Sequence, residues 1–397
     1  MTADLLATTI RPYAWGSTTA LAELTGRRPT GAPEAELWMG AHPGAPARID
    51  RGRGSEALDA VIADDPLHEL GSRVAGRFGA RLPFLLKLLA ADHALSVQVH
   101  PTAAQAEAGY AAEEAAGIPL DAPHRIYRDR HHKPELICAL GEFEALCGFR
   151  DPLATAALWE RLALPVLDPW IRQLRTAPAD RALRTVLTAA LADDRARGER
   201  AAAELPFALA ALASGDDPDA ATWAAYRDAA RDYPGDPGIL AAMLLNHVRL
   251  GPGQALYLDA GVPHAYLRGL GVEIMAGSDN VLRCGLTPKH VDTAALAAVV
   301  DFRPSAPQLV TAVPTSFGEL EFLTPAEEFS LSRIELGESL EIADDGPQIL
   351  LCVRGTARIS GGTALAAGQS AYLPAVGGPV LLDGDATLFR AKVPQPR

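Results

Sequence analysis

Four side chains of the right chemical types to hold a divalent metal lie in three separated segments of the sequence. Gln98 and His100 stand in LSVQVHP, Glu135 in HHKPEL and His264 in GVPHAY. The first segment alternates Leu95, Val97 and Val99 with Ser96, Gln98 and His100. Period-two alternation predicts a strand with one aliphatic face and one face carrying a hydroxyl, an amide and an imidazole. Two neutral nitrogens, a carboxylate and an amide oxygen suit zinc or another divalent first-row ion, with positions left for water or substrate. Glutamine is the weakest member of that set on chemical grounds. His131 and His132 are adjacent, so on an extended segment they point to opposite faces and at most one could join Glu135. Both read as flanking polar groups. His42, His68, His93, His124, His247 and His290 have no partner at a telling spacing and read as structural.

A second group follows His264 in GVEIMAGSDNVLRCGLTPKH, residues 271–290. Glu273 sits in an apolar, strand-like run, where burial would raise its pKa toward the range of a general base. Asp279 and Asn280 form a turn signal, and Arg283 and Lys289 bring a guanidinium and an ammonium suited to a phosphate or a developing oxyanion. Lysine is scarce: of 36 basic residues only those at 87, 133, 289 and 392 are lysine. A chain that uses arginine by default keeps lysine where a compact, flexible ammonium matters. Three of the four fall in the segments already singled out.

These residues need elements to carry them. Residues 1–150 are rich in Gly, Pro and short apolar runs such as LPFLLKLLA, LSVQVH and ELICALGEFEALCGF, which predict strands and turns. From 151 to 248 the texture changes to Ala, Leu and Arg with apolar residues at helical spacing, broken by Pro and Gly at 234–238. Strand texture then returns with an internal repeat, LGPGQALYLDAGVPHAYLRG at 250–269 and LAAGQSAYLPAVGGPVLLDG at 365–384. Two copies of one β-unit imply two barrel-like β-domains, and Pro379 replaces His264 in the second copy.

The 397 residues, 48% of them hydrophobic, are enough for two or three domains with a sizeable core. A net charge of −13 argues against nucleic acid or an anionic membrane as a general partner. The amino-terminal residues carry no basic-then-apolar leader pattern, and no stretch is long and apolar enough to span a bilayer, so a cytoplasmic chain is expected. Four scattered cysteines, Cys138, Cys147, Cys284 and Cys352, read as reduced, buried thiols.

Together SVQVHP, HHKPE, LGPGQALYLDAGVPHAY and SDNVLRCGLTPKH, with YAWGS at 13–17, AELWMGAHP at 35–43 and LPFLLKLL at 82–89, resemble the type I phosphomannose isomerases. These are zinc-dependent cupin enzymes that interconvert mannose 6-phosphate and fructose 6-phosphate, and the resemblance spans nearly the whole chain. It implies one Zn2+ per chain on Gln98, His100, Glu135 and His264. It also implies an active site lined by Lys87, Lys133, Glu273, Asp279 and Arg283, with Arg283 catalytic and Ser96 and Lys289 holding the phosphate. Cys284 stands where the family commonly has alanine.

The expected fold is mainly β with a helical domain. A jelly-roll-like catalytic cupin occupies residues 1–150 plus 249–310, a helical insertion 151–248, and a second cupin-like domain 311–397. The expected partner is a small sugar phosphate, and the chain a monomer or weak homo-oligomer. Two other classes fit parts of the pattern. A metal-dependent cupin oxygenase would more often use three histidines or a facial triad and has no use for Lys289. A sugar-phosphate-binding cupin without activity would keep the pocket and lose the chemistry.

Overall fold

The computed structural model describes residues 3–316, 318–343 and 345–395. Two large antiparallel sheets pack face to face, and a block of helices backs one of them. The first sheet runs, in spatial order, Gln308–Val310, Ala255–Leu258, Glu135–Ala139, His264–Ala276, Phe84–Ala91, Glu36–Met39 and Thr9–Arg11. The strand His264–Ala276 is the hinge of this sheet. Its carboxyl half pairs with Phe84–Ala91 and Glu135–Ala139, while its amino half pairs with Phe143–Phe149 and meets Val97–Val99. One strand thereby brings segments from distant parts of the chain to a common interior.

Period-two alternation decides what each strand presents. In Phe84–Ala91 every residue is buried. Phe84, Leu86, Leu88 and Ala90 join a core shared with Ile349, Leu351, Tyr372 and Phe389 of the second sheet, which leaves Leu85, Lys87 and Leu89 on the other face. Burying each such aliphatic side chain stabilises the fold by roughly 1.5–3 kcal/mol. The same logic holds in LSVQVHP. Val97 and Val99 are fully buried against the helical core that contains Trp159, Leu183, Leu205 and Trp223, so Ser96 and Gln98 face away from it.

The second sheet runs Asp4–Leu5, Ser370–Leu373, Gln348–Ile359, Val380–Lys392, Ser330–Leu336, Leu320–Phe322 and Ala312–Pro314. The repeat read in the sequence is also a structural repeat. Gly253 and Gly368 have φ of 81° and 82°, a conformation open to glycine at little cost. Each is followed by a glutamine whose side-chain oxygen accepts a hydrogen bond from the residue three earlier, Gly251 N–H or Ala366 N–H. The strand after each turn pairs with a central strand, Glu135–Ala139 or Gln348–Ile359.

Helix is more abundant than a mainly β fold implies, and the architecture is mixed. Helices Ala20–Leu24, Leu58–Asp64, Pro66–Phe78 and Ala103–Ala115 lie in a region whose Gly and Pro content reads as strands and turns. Ala103–Ala115 has a legible start: Thr102 and Gln105 form a capping box. The helical block begins at Pro152 and its last helix ends at Met243, after which Leu245–Leu250 is a strand paired with Phe143–Phe149. All four cysteines are buried and free. Among the described residues no helix is long and apolar enough to cross a membrane.

Candidate active site and metal centre

His100, Glu135 and His264 converge in the interior of the first sheet, with one ligating atom from each within 4.8 Å of the others. His100 Nε2 lies 3.3 Å from Glu135 Oε1, and His264 Nε2 lies 3.5 Å from Glu135 Oε2. The remaining ring nitrogens are already committed: His100 Nδ1 is 2.8 Å from the Asn280 carbonyl and His264 Nδ1 is 2.9 Å from the Val262 carbonyl. A carbonyl only accepts, so each Nδ1 carries the proton and donates it, and each Nε2 keeps its lone pair. Burial is the largest influence on His100 and lowers its pKa to about 4, so the ring is neutral at pH 7.

The residues fit a zinc ion on one further observation. His100 Nε2, His264 Nε2 and Glu135 Oε2 are buried atoms without a hydrogen-bond partner. Such orphans are costly in a folded protein unless something binds them. Two neutral imidazoles and a carboxylate are a suitable donor set for zinc. Burial opposes the Glu135 charge, but Lys133, whose Nζ is 3.1 Å away, is the chief opposing influence, and the carboxyl is held well below its usual range. Gln98 lies directly opposite His264 in the strand register and faces the same space.

A cavity of about 680 Å³ opens over this centre, within the size range of small-molecule sites. Nine of the eleven residues singled out in the sequence line it. Lys87, Lys133, Glu135 and Glu273 stand on its sheet wall, Ser96 and Gln98 on the neighbouring strand, and Asp279, Arg283 and Lys289 on the segment that crosses its mouth. His100 and His264, both fully buried, complete the set through their contacts with Glu135.

Lys87 sits between two carboxylates, 2.9 Å from Glu273 and 3.4 Å from Glu36. The register explains this, because Lys87 pairs with Glu273 on one side and Trp38 on the other, two residues from Glu36. Burial favours the neutral amine, yet the two carboxylates outweigh it and raise the Lys87 pKa. Glu273 moves upward as well. Burial is the main cause, and Glu135 and Glu36 add to it against the pull of Lys87.

One side of the cavity, running from Arg283, which pairs with Gln98, to Lys289, is cationic. Burial lowers the pKa of Arg283, and Arg128 lowers it further; Lys289 is lowered by burial, then by Arg283 and Arg128. Mutual repulsion of three cations makes this side a natural place for an anion.

Several residues on the cavity wall escaped sequence reasoning. His42, read as structural, lies 3.4 Å from Asp279, and His93, also read as structural, is 3.1 Å from Asp232 of the helical block. Glu36 and Trp38 alternate in AELWMG, and the Trp38 indole N–H donates to Glu36 at 2.7 Å; the period-two spacing was their signal. Tyr233 and Asp232 had none, since their segment reads only as amphipathic helix. His132 does not approach the metal centre. Its ring is 2.7 Å from Glu328, in the loop before the strand Ser330–Leu336 of the second sheet.

The chain is similar to known proteins along nearly its whole length. Residues 5–152 match the family model for the phosphomannose isomerase type I catalytic domain. The mannose-6-phosphate isomerase of Escherichia coli (strain K12) is 40% identical over 392 residues, covering 97% of this chain and 98% of that protein. The Rattus norvegicus mannose-6-phosphate isomerase is 31% identical over 422 residues, covering 98% of this chain and 96% of that protein. The crystal structure of a zinc-bound mannose 6-phosphate isomerase superposes with a TM-score of 0.91 at 38% identity, covering all of both chains. A variant of the Salmonella typhimurium phosphomannose isomerase superposes equally well, with a TM-score of 0.91 at 37% identity, again covering all of both chains. The chain belongs to the type I phosphomannose isomerase family.

Proposed function

We propose that this chain interconverts mannose 6-phosphate and fructose 6-phosphate, with one Zn2+ held by His100, Glu135 and His264 and with Gln98 as a fourth ligand. The observation that carries the reading is the set of orphaned buried atoms on His100, Glu135 and His264 beneath a cavity with a cationic side. Zinc, when bound, supplies a Lewis acid that makes the proton on C2 of the open-chain sugar more acidic.

The chain's own groups do the rest. Glu273 is the base that takes the C2 proton and returns it to C1 through an enediol, since burial raises its basicity while Lys87, 2.9 Å away, stabilises its charged form. Lys133 and Asp279 line the reacting end and hold the sugar hydroxyls. Arg283 orients the substrate and offsets the negative charge that develops on the enediol oxygens. Ser96 and Lys289 hold the phosphate, and binding energy at that remote end aligns the reacting carbons.

The domain reading that accompanies this function is a catalytic cupin of residues 1–150 plus 249–310, a helical domain of 151–248 and a cupin-like domain of 311–397. The matched turns at Gly253 and Gly368 support the duplication. The strand Leu245–Leu250 pairs with the first sheet and favours a working boundary a few residues earlier. Four free, buried cysteines suit a reducing, cytoplasmic setting. The test is formation of fructose 6-phosphate from mannose 6-phosphate before chelation, after it, and after zinc is returned. Turnover that is lost and then restored supports the reading; a folded, zinc-loaded chain that binds the sugar phosphate without turnover would leave only a binding protein.

A further inference from the structure

The helical block contributes more than a wall. Its last loop meets the segment Gly285–Lys289 at a point where both backbones are tightly constrained. A Cβ placed on Gly238 would lie 2.4 Å from Gly285 Cα and from Leu286 N, so the two chains touch main chain to main chain. Gly285 has φ of 122°, and Leu286, fully buried, has φ of 53°, a left-handed conformation unfavourable for leucine. Something must hold Leu286 there, because backbone strain persists only where the surroundings over-determine it.

The Asp236 carboxylate is placed to do so. One oxygen accepts the Gly238 N–H at 2.7 Å within its own loop, and the other accepts the Thr287 N–H at 2.9 Å across the interface. Thr287 Oγ1 in turn accepts the Lys289 N–H at 3.1 Å. A short chain of hydrogen bonds thus runs from the helical block to the backbone of the residue that supplies the ammonium on the cationic side of the cavity. Neither Asp236 nor Gly238 lines the cavity.

We propose that Asp236 is a positioning residue for phosphate recognition: it fixes the strained loop 285–289 so that Lys289 meets the substrate's phosphate. This rests on the reading that the phosphate is held at Lys289. The helical block then has a defined part in catalysis, setting the anchor for the non-reacting end of the sugar and leaving the metal centre untouched.

The experiment compares Asp236→Ala, Asp236→Asn and Lys289→Ala in the zinc-loaded chain. It measures kcat, KM for mannose 6-phosphate, competitive inhibition by inorganic phosphate, and zinc affinity. Loss of a hydrogen bond that orders a charged group predicts that Asp236→Ala raises both KM and the phosphate inhibition constant by about tenfold. Zinc affinity should not change and kcat should stay within about twofold. Asp236→Asn, which keeps one acceptor, should fall between and decides the matter if the alanine variant does not fold. Unchanged KM and phosphate inhibition in a folded Asp236 variant overturns the proposal, as does a loss confined to kcat. Phosphate inhibition that is unchanged in Lys289→Ala overturns the underlying placement of the phosphate instead.

Discussion

The two sheets solve one structural problem with opposite polar interiors. Their registers can be matched through the repeated turn: Leu258 faces Glu135 in the first sheet, and its counterpart Leu373 faces Gln348 in the second. Glu135 also faces Met275, and Gln348 faces Lys392, so Glu273 of the first sheet corresponds to Arg390 of the second. Lys87, opposite Glu273, corresponds to Ser332, and Glu36 to Glu319. The first sheet leaves a cluster of donor atoms on His100, Glu135 and His264 buried without partners, along with His247 Nε2 and the Tyr266 hydroxyl, whereas the buried charges Arg390 and Glu319 of the second pair with each other and, among its described residues, the hydroxyls of Ser332 and Ser370 go without. Arg390 pairs with Glu319, both 3% exposed, and donates to Gln348 at 2.8 Å and to the Ala343 carbonyl at 2.9 Å. Pro379 takes the place of His264. The difference shows that a metal site is made as much by what a fold leaves unsatisfied as by the ligands it supplies.

The contrast can be broken first at the metal. His264→Ala removes a proposed ligand whose Nε2 has no hydrogen-bond partner, so turnover should fall about 10³-fold or more as Lewis-acid stabilisation is lost. In the second sheet the balance should invert. Arg390→Met leaves Glu319 buried and unpaired, which should destabilise the fold by roughly 3–5 kcal/mol with zinc affinity unaltered. Adding Glu319→Gln should recover much of that loss in denaturant unfolding. Recovery of nothing would mean that Arg390 contributes through packing and not through its charge.

A smaller effect sharpens how the sheets are joined. The hydrogen bond that the His132 ring donates to the Glu328 carboxylate raises the His132 pKa above its ordinary 6.5, and the same pair, working against burial, lowers that of Glu328 below 4.5. A histidine raised in the folded state contributes its stability fully below about pH 6.5 and loses it as pH climbs through the folded value. A depressed carboxylate contributes above about pH 4.5 and loses it as pH falls through its folded value. Glu328→Gln should therefore lower Tm most between about pH 4.5 and 6.5, and progressively less as pH climbs through the folded-state pKa of His132. A pH-independent difference would contradict the ion pair.

Much of the site is legible in the sequence because strand alternation is a local rule. Val97 and Val99 inward, Ser96 and Gln98 outward, need only the period of two, and the G-Q turn repeat announces the duplicated sheet. The proposed metal ligands are recognisable by type, although their convergence depends on His264–Ala276 pairing with strands more than a hundred residues earlier, which no local pattern states. Glu36 gains meaning only beside Lys87, and His42 only beside Asp279, since both pairings are made by register and loop packing. The Asp232–His93 contact crosses from helical block to sheet and leaves no mark in either segment. Helices in the first 150 residues are obscured because Ala, Gly and Pro between short apolar runs read equally as turns.

The most direct test is the zinc content at equilibrium of the intact chain and of Glu135→Gln, measured by dialysis and elemental analysis. One zinc per chain in the former and close to none in the latter is the expected result. Two zinc ions per chain, or one that survives the substitution, would place the metal elsewhere and contradict the division between a metal-binding sheet and one whose charges pair among themselves.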